Sequence, residues 1–305
     1  MLPIGWLVRS FAFAFMALSM LSIGLTTTSG DLRALVGSQR RLGRMLLANF
    51  ILVPAVGVLM ARTLIADPGV ATAFLLLACT PGAPGALSYS PYIKGAAAFA
   101  GSSTILLSTL AIFVSPQLLW LVLPGDVAVV VPYGWMAGLL VGLFLLPFAA
   151  GMVLRRLREG LAARLSLPCI AVAVVAAMIT GWLLATEKKQ AMREVSPGVL
   201  LAMLGFVLLA MLIGRLVSAG DKALRPVYVI TTGMRNVAVC LLIALHSFPD
   251  AGVQTPLVAF SALMVFPNMA YYYYDMVRTR GAGWLAVAAA QVEQVRQRLR
   301  GETRP

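Results

Sequence analysis

Nine apolar runs follow one another along this chain, at roughly 11–28, 44–63, 70–93, 96–122, 130–154, 162–186, 196–218, 222–247 and 254–276, with basic or Gly/Pro breaks between them. A helix needs about 20 mainly apolar residues to cross about 30 Å of hydrocarbon, and each run is near that length or longer. Hydrophobic residues make up 60% of the 305 and charged residues 11%. Soluble domains run at about 45–50% and about 25%, so a water-exposed fold of this size would lack polar cover. The reading is an all-α polytopic membrane protein with nine transmembrane helices. The first run follows Arg9 and imitates a secretory signal, but it is long for one and leads into "TTTSGDLR" without a clear small-x-small cleavage site. It is read as a span.

Basic residues in short loops stay on the cytoplasmic side, which orients the chain. With the N-terminus outside, 18 of the 24 lysines and arginines fall on inner segments and the tail, and five on outer segments. The remaining one is Arg235, inside the eighth run. The N-terminus is therefore expected outside and the C-terminus in the cytoplasm of an inner membrane. The net charge of +13 then reads as a topology signal. Nucleic acid is not an expected partner, because the charges are spread over membrane loops and not gathered on one domain.

Enzymatic chemistry finds no support in the spans. They hold no paired carboxylates, no nucleophile–base pair and no metal cluster. Cys79, Cys169 and Cys240 lie in apolar runs without paired or metal-ligand spacing, and read as small core residues. The one histidine, His246, stands near the end of a span. No cofactor is expected.

Two runs break the pattern of a continuous helix. The third contains "CTPGAPGALSYSP", with Pro81, Gly82, Pro84 and Gly85 within five residues. One proline kinks a membrane helix; two prolines and two glycines free carbonyls and amides that must find partners or line a polar cavity. The eighth contains "ITTGMRN", where Gly233 adjoins Thr231, Thr232, Arg235 and Asn236. These runs are five apart, an odd separation that reverses the direction of travel. If runs one to four repeat as six to nine, the chain holds inverted repeats with one interrupted helix in each half, the arrangement that marks the central site of many transporters.

The segments "GLTTTSGDLRAL" (24–35), "CTPGAPGALSYSPYIKG" (79–95), "STLAIFVSP" (108–116), "TTGMRNVAVCLLIA" (231–244) and "FSALMVFPN" (260–268) resemble the bile acid:sodium symporter family, in order and over roughly residues 12–276. The resemblance implies a secondary transporter of organic anions, in which two crossing, discontinuous helices belong to a core domain that moves against a panel domain. It assigns residues 1–280 to one transporter domain, with panel helices at about 11–28, 130–154 and 162–186 and core helices at about 44–122 and 196–276. Many bacterial relatives have ten helices; the resemblance implies that the nine expected here correspond to all but the first.

The family's sodium sites use a Ser-Asn pair after the Pro-Gly stretch, a Ser and a Thr in the next helix, and a Glu and a Gln around Gly-Met. The matching positions here are Ala86 and Leu87, Ala100 and Thr104, and Thr231 and Arg235, while Asn236 agrees with the family. Few oxygen ligands remain, and a fixed cation at Arg235 would repel sodium strongly at low dielectric. Sodium coupling through those sites is not expected. Instead the guanidinium is expected to stand in for the metal, facing the bundle interior, held by carbonyls of both interrupted helices and by the hydroxyls of Thr231, Thr232 and Thr104. An arginine at a helix centre costs about 2.5–3.5 kcal/mol on insertion scales, so it needs such partners. Its five donors suit a carboxylate or sulfonate; the alternative is a purely structural staple.

The candidate substrate-binding residues are thus Arg235, Asn236, Thr231, Thr232 and Thr104, with Pro81, Gly82, Ser88 and Asn268. Ser88 and Asn268, like Tyr89, Ser90 and Tyr92, also fit interhelical bonding. "YYYY" at 271–274 fits an interfacial aromatic belt. The tail, 281–305, fits either a basic amphipathic helix on the inner leaflet or a frayed end. Functionally the chain reads as a carrier of a small organic anion by alternating access; a non-transporting sensor or scaffold that keeps the fold is the alternative.

Overall fold

A computed structural model of the chain describes residues 4–30, 33, 38–82, 97–123, 138, 141–187, 195–248 and 251–280. All regular structure among these residues is helical. In chain order the helices are α1 (Ile4–Thr26), α2 (Gln39–Leu47), α3 (Val53–Leu64), α4 (Pro68–Cys79), α5 (Ala97–Val122), α6 (Leu146–Leu157), α7 (Glu159–Glu187), α8 (Pro197–Val217), α9 (Arg225–Gly233), α10 (Val237–Ser247) and α11 (Ala251–Arg280). A π-turn, Ala48–Leu52, joins α2 to α3 without a break, and a second, Val141–Leu145, leads into α6.

Five described helical stretches are long and apolar enough to cross a bilayer: Trp6–Thr26, Gln39–Leu64, Glu159–Leu183, Pro197–Val217 and Gly252–Asp275. A sixth is α5, if its two segments, bent by 55°, count as one span. That makes five or six spans by this measure where the sequence leads one to expect nine. The eighth run is divided into α9 and α10, each shorter than a membrane crossing, the described part of the third holds only the 12-residue α4, and 83–93, 130–137 and 139–140 lie outside the described residues. The tail, 281–305, lies outside them as well.

Helix starts follow local chemistry. Asp67 caps α4, its Oδ1 accepting from the Val70 amide at 2.8 Å, with Pro68 in the first turn. Ser196 and Pro197 do the same for α8. Large apolar side chains face outward on many helices; Trp120 is 81% exposed and Leu157 74%. Such surface needs lipid around it.

The interior is packed through small residues and aromatics. α1 and α6 touch where Gly24 and Gly151 face each other, so closely that a methyl on Gly24 would overlap the Phe148 carbonyl. Phe206 of α8 bridges Phe74 of α4 and Phe260 of α11, with ring centroids 5.0 and 6.0 Å away. These contacts belong to the first of two compact units, Met1–Asn268. In the second, Met269–Pro305, the rings of Tyr271 and Tyr274 lie 6.4 Å apart and those of Tyr272 and Tyr273 5.3 Å apart.

Candidate functional site

Two helix ends meet inside the first unit. α4 stops at Cys79, immediately before Pro81 and Gly82, and α9 stops at Gly233, with Met234, Arg235 and Asn236 carrying the chain to α10. A helix end leaves four carbonyls without amide partners, and inside a bilayer no water is at hand to satisfy them. Every carbonyl from Leu76 to Thr80 is nonetheless paired. Leu76 accepts from the Thr80 hydroxyl at 2.5 Å, and Leu77 from the Arg235 Nε at 2.9 Å. Ala78 accepts from Arg235 Nη2 at 2.6 Å, and Cys79 from the Ser115 hydroxyl at 2.6 Å. Thr80 accepts from the Asn236 amide at 3.0 Å.

Beyond it, the Gly82 carbonyl accepts from Ser108 Oγ at 2.6 Å and from Asn236 Nδ2 at 3.2 Å. Gly82 has φ of +88°, a conformation that side chains rarely adopt, and Ser108 fills the space a Cβ would need. The same Asn236 caps α10, its Oδ1 accepting from the Val239 amide at 3.3 Å. One residue thus starts α10 and holds the chain that follows α4.

Arg235 is 1% exposed. Its third bond runs from Nη1 to Asn49 Oδ1 at 3.2 Å. Among the described residues no carboxylate pairs with it; the two ion pairs, Arg41–Asp221 and Arg155–Glu159, involve other residues. The charge is met instead by the negative end of α4, where cations interact favourably with the last carbonyls. Burial in the interior agrees with the sequence reading; the partners differ from it. Both backbone carbonyls come from α4 alone. The Thr231 hydroxyl donates to Val227 at 2.7 Å, and the Thr232 hydroxyl lies 2.9 Å from the Tyr228 carbonyl. A threonine within a helix reaches the carbonyls three and four residues back more readily than a group across the bundle. Thr104 Oγ1 is buried and has no hydrogen-bond partner among the described residues.

The remaining candidates divide as follows. Pro81 and Gly82 stand at the α4 break, with Asn236 against them. Asn268 is fully buried, donates to Met264 at 2.8 Å, and directs toward Gly233 an Oδ1 that has no partner among the described residues. Ala100 is buried. Ser88, Ala86 and Leu87 lie outside the described residues. Asn49, Thr80, Ser108 and Ser115 are not among the residues that the sequence assigns to the site, and Cys240, which reads as a small core residue, touches the Thr80 hydroxyl with its thiol. For Asn49 the available signal is an asparagine inside "LLANFILVP".

A cleft of about 90 Å³ lies between α1, α5 and the second π-turn, lined by Met20, Thr109, Phe113, Phe144 and Phe148 and by Ser108, the residue that holds Gly82. It is well below the roughly 300–1,000 Å³ of a typical small-molecule pocket.

Set beside known proteins, residues 13–195 match the model of the Sodium Bile acid symporter family. No curated protein matches the chain. The family match covers more than half of the sequence and runs from within α1 through α7, with the α4 break. The described helices are those of an integral membrane protein, and the family's members are transporters: this chain belongs to the sodium bile acid symporter family.

Proposed function

We propose that this protein is a secondary carrier of a small organic anion that works by alternating access without sodium at the family's usual sites. The observation that carries the reading is the guanidinium of Arg235, buried and seated on the Leu77 and Ala78 carbonyls, with no carboxylate paired to it among the described residues. A fixed positive charge near the meeting of two helix ends repels a dissolved cation and attracts an anion. In this reading nine spans form inverted repeats, with the runs broken at 80–82 and 234–236 crossing as discontinuous helices. The core is made from about 44–122 and 196–276, and the panel from about 11–28, 130–154 and 162–186. The N-terminus is outside and the C-terminus is cytoplasmic. In this reading Arg235 acts on the substrate through its field, and direct contacts fall to Asn236, Thr104, Pro81, Gly82, Ser88 and Asn268, with Thr231 and Thr232 alongside.

The enclosure of Arg235 also supports a second reading, a non-transporting sensor or scaffold whose core is locked by that residue. A thermal-shift screen of the purified protein against small carboxylates and sulfonates, with sodium or choline as the cation, identifies ligands. Uptake of the hits into reconstituted vesicles then separates the readings. The carrier predicts uptake at equal rates in both salts. Sodium-dependent uptake would overturn sodium independence, and ligand binding without uptake would favour the sensor.

A further inference from the structure

The π-turn Ala48–Leu52 has a consequence for the buried cation. Met45, Asn49, Val53, Gly57 and Ala61 are all buried, a stripe with a spacing of four. On a regular helix such a stripe drifts by about 40° at each step. The wider π-turn, with its i→i+5 bonding, offsets part of that drift and keeps the stripe on one side. Within the stripe, Gly57 abuts Ala78 of α4, the residue whose carbonyl receives Arg235 Nη2. Two steps before it stands Asn49, fully buried. Its amide is oriented by its own helix: Nδ2 donates to the Met45 carbonyl at 3.1 Å, which leaves Oδ1 to accept from Arg235 Nη1 at 3.2 Å.

We infer that Asn49 is a positioning residue, whose carboxamide sets the rotation of the Arg235 guanidinium so that Nε and Nη2 reach Leu77 and Ala78. The inference rests on Arg235 being the working charge of the proposed carrier. A guanidinium held only through Nε and Nη2 can swing about its long side chain; a third bond, to a group fixed by its own backbone, removes that freedom. The acceptor is neutral, so the cation keeps its net charge and its field is not cancelled by an ion pair.

The test is proton exchange at the Arg235 guanidinium, read by NMR on full-length protein labelled with ¹⁵N-arginine in detergent micelles. Its signals are assigned by their loss in Arg235→Gln. With Asn49→Ala, exchange of the Arg235 Nη protons should accelerate about tenfold or more, the fold-change expected for losing a hydrogen bond to a charged group. With Asn49→Asp, which keeps an acceptor oxygen, exchange should be no faster than in the wild type. Exchange in Asn49→Ala within about twofold of the wild type overturns the inference, as does Asn49→Asp exchanging as fast as Asn49→Ala. Should Asn49→Ala not fold, Asn49→Asp decides alone: slow exchange supports the role and fast exchange overturns it. The readout needs no substrate, so its failure leaves the carrier reading to be judged by vesicle uptake.

Discussion

Arg235 Nη2 stands 2.6 Å from the carbonyl oxygen of Ala78, 157 residues away in sequence, and with Nε on Leu77 it closes the last turn of α4. A helix that ends in the buried interior is finished by a side chain from a distant part of the sequence.

Arg235→Gln removes both donors from those carbonyls. An under-paired buried carbonyl costs about 1–3 kcal/mol, so the variant should lose about 2–4 kcal/mol, seen as a lower unfolding midpoint in detergent. Added Thr231→Glu supplies a carboxylate at the position where the family resemblance puts one. The double variant should be stabilised by sodium in the same assay, and indifference to sodium would count against the proposed replacement of the metal by the guanidinium.

Ser115→Ala and Ser108→Ala should differ. The Cys79 carbonyl has Ser115 as its side-chain donor, whereas the Gly82 carbonyl retains Asn236 Nδ2 when Ser108 is truncated. The expected losses are about 1–3 kcal/mol at Ser115 and about 1 kcal/mol or less at Ser108. Chemical denaturation of the two variants side by side checks the order.

Thr231→Val keeps the shape of the side chain and removes a hydroxyl that bonds only within its own helix and to Met45 Sδ. Its effect on stability should stay under about 1 kcal/mol. A loss as large as that of Arg235→Gln would mean that the hydroxyl supports the guanidinium after all.

Gly24→Ala and Gly43→Ala form a pair of opposite sign. At Gly24 the added methyl meets the Phe148 carbonyl at the α1–α6 contact, whereas a methyl on Gly43 of α2 would meet no atom within 4 Å among the described residues outside its own helix backbone. The first should destabilise by about 1–3 kcal/mol or more through overpacking. The second should stabilise by about 0.5–1 kcal/mol through helix propensity. Unfolding midpoints of the purified variants distinguish them.

The helical build and the two places where helices stop are legible in the sequence, because proline, glycine and long apolar runs act locally. Pro81 and Gly82 mark the end of α4, and Gly233 is the last residue of α9. The burial of Arg235 is legible too, since lipid leaves a lone arginine little choice. Its partners are not. Asn49 is 186 residues away, and its aim depends on a π-turn that leaves no local signature in "ANFIL". Thr231 and Thr232 stand beside Arg235 in sequence, but in a helix they are nearer to their own carbonyls. Ser115, seven positions beyond Ser108 in the same helix, reads as one more small apolar-run residue until α4 is placed beside it.

The cation over the α4 terminus is part of the chain, so it has no dissociation constant. Dialysis cannot strip it, brine cannot saturate it, and no ionic slope across the bilayer can be run down by letting it go.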